Sequence, residues 1–105
     1  MAKRRKLSPA KRRRALATVE RVERLQEHME DIVDEVCAEL IRAVGRYPTF
    51  ASGHEGWAVI REEMDELWDE VRKRNSDPDR MRAEAIQVAA MGIRFVLDVC
   101  EVDRP

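Results

Sequence analysis

The sequence predicts an all-α fold: a helical bundle of one long helix and two shorter antiparallel helices, completed by oligomerisation. Three observations lead there. No Gly or Pro interrupts residues 10–44. Apolar residues recur in steps of three and four along that stretch and along two shorter ones, and nothing alternates as a half-buried strand would. The 105 residues are 44% hydrophobic and 39% charged, with four Gly and four Pro, a composition suited to amphipathic helices. So short a chain has a limited core of its own, and association would help bury its apolar faces.

Helix one is expected from about Ala10 to Val44, with Val22, Leu25, Met29, Ile32, Val36, Leu40 and Val44 on one face. From Val22 to Val36 the alternation is coiled-coil-like. Gly45 is expected to stop it, and GRYPTFASG (45–53) reads as a loop with Tyr47-Pro48 inside. Ser52 followed by Glu55 fits a capping box opening helix two. That helix should reach about Arg74, with Trp57, Ile60, Met64, Leu67 and Val71 as its stripe. Arg72, Lys73 and Arg74 suit the negative end of its dipole. After an Asn75-Ser76 turn, Asp77 is a natural N-cap and Pro78 a natural first residue of helix three. Helix three should run to about Glu101, with Met81, Ala85, Val88, Gly92, Phe95 and Val99 inward.

The formal net charge of −1 conceals an asymmetry. Residues 1–14 hold Lys3, Arg4, Arg5, Lys6, Lys11, Arg12, Arg13 and Arg14 and no acid, whereas the remainder has 12 basic and 21 acidic residues. The expected division is a basic, disordered arm over 1–14 and an all-α domain over 15–105. No apolar run is long enough to span a membrane, and the first residues lack the apolar segment of a signal peptide. Cys37 and Cys100, without CxxC spacing, read as reduced, semi-buried thiols of a cytoplasmic protein.

Residues 61–70, REEMDELWDE, hold six carboxylates. On a helical wheel with Glu63 at zero, Leu67, Ile60, Val71 and Met64 fall at about 40–100°. Glu70 and Glu66 lie beside that stripe at about −20° and −60°, whereas Asp65 points away. Asp65 and Asp69 are ordinary surface acids on this reading. On helix three Glu84 falls inside the apolar stripe, between Met91 and Phe95, and Gln87 is about 60° round the same face. A carboxylate there is costly unless paired or bound to a metal. Arg94 or Arg80 could pair with it. Alternatively, antiparallel packing sets ExxE on helix two against ExxQ on helix three, making a hard-oxygen site suited to Mg²⁺ or Mn²⁺.

HEGWAVIREEMDELWDEV (54–71) followed by EAIQVAAMGIRF (84–95) resembles the MazG-like, all-α nucleoside triphosphate pyrophosphohydrolases. Their EExxE motif is matched by Glu62, Glu63 and Glu66. Their ExxD motif is matched at Glu84 alone, with Gln87 where the family has aspartate. The resemblance spans about residues 45–100. It implies a dimer or tetramer that uses Mg²⁺ to hydrolyse a (d)NTP to the monophosphate and pyrophosphate. It also implies metal ligation by Glu63, Glu66 and Glu84 with Gln87 beside them, and a role for Glu62 in orienting ligands or positioning water. A neutral amide is a weaker Mg²⁺ ligand than a carboxylate; Glu70 could compensate, or the chain is an inactive relative.

Candidate substrate-binding residues are Arg94, Trp68 and Lys73. Arg94 could reach a triphosphate, though an i,i+4 pair with Asp98 is the simpler reading. Lys73 could meet phosphate or only cap its helix. Trp68 suits a base or an oligomer contact, and Trp57 reads as core. His54 and His28 are too far apart for a zinc site. The basic arm could bind nucleic acid nonspecifically through phosphates. The competing expectation to hydrolysis is therefore a noncatalytic helical oligomeric interaction module whose basic arm contacts nucleic acid.

Overall fold

The computed structural model describes residues 6–101, in which every regular element is helical and no strand occurs. Helix α1 spans Pro9–Arg46, α2 spans Gly53–Val71, and α3 spans Pro78–Phe95 before one π-helical turn at Val96–Cys100. No described helix is long and apolar enough to cross a membrane.

Ser8 and Pro9 start α1 inside the stretch expected to be a disordered arm. Ser8 Oγ accepts from the Lys11 N–H at 3.3 Å, its carbonyl accepts from the Arg12 N–H at 2.9 Å, and Pro9 brings a φ already suited to a first helical residue. Pro9–Arg14 are therefore helical, and residues 1–5 of the expected arm lie outside the described residues. At its other end α1 runs through Gly45 to Arg46. No glycine here needs a positive φ, and Gly45 costs the helix only about 1 kcal/mol relative to Ala. The stop comes from Pro48, which disfavours helical backbone at Tyr47.

The described residues fall into two compact units, one ending at Asp31 and the other beginning at Ile32. In the first, every described residue is exposed, including Val19, Val22, Leu25 and Met29. In the second, Val36 and Ala43 of α1, Phe50 of the loop, and Ala90 and Met91 of α3 form the buried core. Leu40, Val59, Ile60, Ile86, Phe95 and Val99 pack around it.

Helices α2 and α3 run antiparallel, because the start of α2 meets the end of α3. A Cβ at Gly53 would sit 3.8 Å from the Val99 side chain. At Gly56 the approach is closest: a Cβ there would lie 2.6 Å from Phe95 Cδ2 and 3.1 Å from Phe50 Cδ2. Glycine is needed at that position for close packing, not for its φ.

The caps follow the sequence reading. Ser52 Oγ accepts from the Glu55 N–H at 3.1 Å, and Asp77 Oδ1 accepts from the Asp79 N–H at 2.9 Å. Helix α2 ends at Val71, a turn short of Arg74, with the basic residues turned back on its own acids. Arg72 pairs with Asp69 at 3.0 Å and Lys73 with Glu70 at 2.7 Å. Trp57, expected in the core, is 54% exposed, and Met64, Val71, Val44 and Ala85 are also exposed. Cys37 and Cys100 are exposed free thiols, not semi-buried ones. Each helix in so small a unit has one side covered, so positions at the stripe's margins stay wet.

Candidate metal centre

Antiparallel packing brings carboxylates from two helices together. Glu63 and Glu66 lie one turn apart on α2, and Glu84 arrives from α3; one oxygen from each lies within 4.8 Å of the others. Glu63 and Glu84 are half-buried and Glu66 is exposed. Glu63 Oε2 is buried with no hydrogen-bond partner among the described residues. Burial and then the negative charges of Glu66, Glu84 and Glu62 push the Glu63 carboxyl up to about 7. Burial first, then Glu66 and Glu70, also raises Glu84 above the ordinary carboxylate range.

Neither arginine that could have neutralised Glu84 does so. Arg80 lies 3.9 Å from Asp77, and Arg94 lies 3.3 Å from Asp98. Glu70, the candidate substitute for the missing aspartate, is held by Lys73, and its Oε2 is also buried and unpartnered. What remains is a cluster of three carboxyl groups in which Glu63 Oε2 is orphaned, which a proton or a cation would relieve.

The cluster borders a cleft of about 530 Å³, within the usual range for small-molecule sites. Glu62, Glu63, Glu66 and Gln87 line it, and so do Glu39, Arg42 and Arg46 of α1, Tyr47 and Phe50 of the loop, and Glu55 of α2. Arg42 bonds Glu39 through Nη2, at 2.6 and 2.5 Å to its two oxygens. These cationic and aromatic residues escaped the sequence reading. They are far from the acidic motif in the chain, and only the GRYPTF loop, with its Arg and aromatics between helix breakers, hinted at them.

Arg94 also lines the cleft, but its bonds point into the fold. It is 4% exposed, its guanidinium carbon stacks 4.1 Å from the Phe50 ring centroid, and it donates to the Pro48 carbonyl. Asp98 completes the lock by accepting from the Phe50 N–H at 3.1 Å. The i,i+4 pair with Asp98 is present, and Arg94 anchors the loop through it. At 3.3 Å, Arg94 Nε is ion-paired with that carboxylate but makes no aligned hydrogen bond to it. Trp68 is 61% exposed, and neither it nor Lys73 lines the cleft. No family model, curated protein or solved structure matches this chain.

Proposed function

We propose that the protein hydrolyses a (deoxy)nucleoside triphosphate to the monophosphate and pyrophosphate, as a cytoplasmic homodimer or homotetramer, with Mg²⁺ or Mn²⁺ held by Glu63, Glu66 and Glu84. One observation carries this reading: carboxylates from two helices converge around a buried, partnerless oxygen at a cleft that Arg42 and Arg46 also line. The donor set fits such an ion, since carboxylate oxygens are what a hard divalent cation prefers, with the Gln87 amide oxygen as a neutral addition. When bound, the cation neutralises phosphate charge and acidifies water.

The chain's own residues supply the remainder. Glu62, on the cleft wall, accepts the proton of the water that attacks the α-phosphorus. The new bond joins that water oxygen to phosphorus, and the bond to the bridging oxygen breaks, so pyrophosphate leaves with the electron pair. Arg42 and Arg46 receive phosphate oxygens, Arg42 by exchanging its pair with Glu39. Tyr47, 59% exposed at the rim, offers a face for the base. Arg94 is a positioning residue, holding the loop that carries Phe50.

The test is pyrophosphate release from each NTP and dNTP with Mg²⁺ or Mn²⁺. Glu63→Gln should abolish turnover and leave the helical content unchanged, whereas an undiminished rate removes the assignment. Gln87→Asp should tighten metal binding. No turnover with any nucleotide, together with no thermal shift on adding metal, overturns the enzyme reading.

The noncatalytic alternative is favoured by a different observation: Lys11, Arg12, Arg13 and Arg14 are all exposed. Salt-sensitive binding to a DNA duplex that disappears on deleting residues 1–14 would support it.

A further inference from the structure

Residues 9–31 form a helix with no core, and nothing among the described residues of that unit covers its apolar side. With Val22 at zero on the wheel, Ala15, Thr18, Val19, Leu25 and Met29 fall within about 60° on either side. Val19, Val22, Leu25 and Met29 are 45–54% exposed. Arg12 and Glu30 share one edge of that face, both near 80° and about five turns apart. Charge is also segregated along the axis: Lys11–Arg14 are all basic, and residues 27–31 hold Glu27, Glu30 and Asp31 with no Lys or Arg.

We propose that this face docks against the same face of a second copy of the chain, antiparallel, with Arg12 of each copy meeting Glu30 of the other. In an antiparallel pair related by a two-fold axis near Val22, each edge of the stripe faces the same edge of the partner, running in the opposite direction. Arg12 and Glu30 therefore meet twice. Ala15 faces Met29, a small residue against a long one, and Val22 meets its own copy at the axis. A parallel pair would instead bring both Lys11–Arg14 clusters to one end, where repulsion within a Debye length of about 8–10 Å opposes it. Arg21, at the other edge near the axis, is a like-charged contact in the antiparallel pair. The stripe lies outside the residues that carry the hydrolase reading, so the pairing stands or falls separately from catalysis.

Sedimentation of the full chain over a concentration series reads the association. Arg12→Glu or Glu30→Arg alone should weaken the dimer about tenfold at low salt, and the double variant R12E/E30R should restore it. Both residues are exposed, so recovery in the double variant also rules out a folding defect as the cause. Orientation is read in a Cys37→Ser/Cys100→Ser background. Ala15→Cys mixed with Met29→Cys should cross-link on oxidation, and Met29→Cys alone should not. A monomer at all concentrations overturns the proposal, as does a dimer that survives Val22→Asp or a Met29→Cys chain that cross-links to itself. A monomer whose Lys11–Arg14 cluster instead shifts a DNA duplex overturns it in favour of nucleic acid as the occupant.

Discussion

Val22 and Met91 each sit mid-stripe on an amphipathic helix, yet Val22 is 45% exposed and Met91 is 4% exposed. Around Met91, α3 has the buried Val36, Ala43 and Phe50 in the same core cluster. Among the described residues of the first unit, none is buried around Val22. The difference teaches that periodicity marks which side of a helix benefits from burial and leaves open what covers it. It also separates two kinds of charge. The acids near the core lost water and gained neighbours, so Glu63 and Glu84 are perturbed. The bases of the first unit stay in water, where they are suited to long-range attraction and to choosing a partner's orientation.

That contrast can be broken most severely at the Arg94–Asp98 lock. Asp98→Ala leaves a 4% exposed guanidinium uncompensated and removes the acceptor of the Phe50 N–H. It should cost about 3–5 kcal/mol in urea unfolding and loosen the loop at the cleft. Gly56→Ala comes next, at about 1–3 kcal/mol, because its methyl meets the Phe95 and Phe50 rings. If the melting temperature of either variant matches that of the native chain, the close packing described for the second unit is wrong.

A smaller effect is expected from pH. Glu63 holds its proton more tightly when folded, at about 7, than at its ordinary value of 4.5. The stability this confers on the metal-free protein is full below about 4.5 and declines as pH rises through about 7. Thermal melts of metal-free protein should fall across that window, and Glu63→Gln should flatten the decline. Divalent metal should raise the melting temperature more at the upper end of the window, where fewer protons compete. The smallest effect belongs to the first unit. Val22→Ala should change unfolding of the dilute chain by no more than about 0.5 kcal/mol while weakening self-association. A large loss of stability in the dilute chain would mean that Val22 is covered within its own molecule.

Much of the architecture was legible in the chain. Ser52, Asp77 and Pro78 start helices through bonds to their immediate neighbours, so their roles can be read from a few adjacent residues. The wheel placed Glu84 on a buried face and Glu63 and Glu66 beside another, and these three converge. Arg42, Arg46 and Tyr47 were not legible as site residues, because they reach the cleft from another helix and a loop. Trp57 was misplaced for a related reason: the wheel puts it on the apolar side, but it lies at the margin of that side and is 54% exposed.

The sequence by itself determined where α2 and α3 begin, which faces are apolar, and that Glu63, Glu66 and Glu70 would border the apolar stripe of α2. Those properties depend on local backbone bonding and on a rotation of about 100° per residue, and both are carried by neighbours in the chain. Only the tertiary structure decided which acids face one another and which oxygens lose water. It brought Glu84 of α3 to Glu63 and Glu66 of α2 and left Glu63 Oε2 buried without a hydrogen-bond partner among the described residues. Such convergence and burial depend on distances across helices, and packing at Gly56, Phe50 and Phe95 sets those distances in this protein.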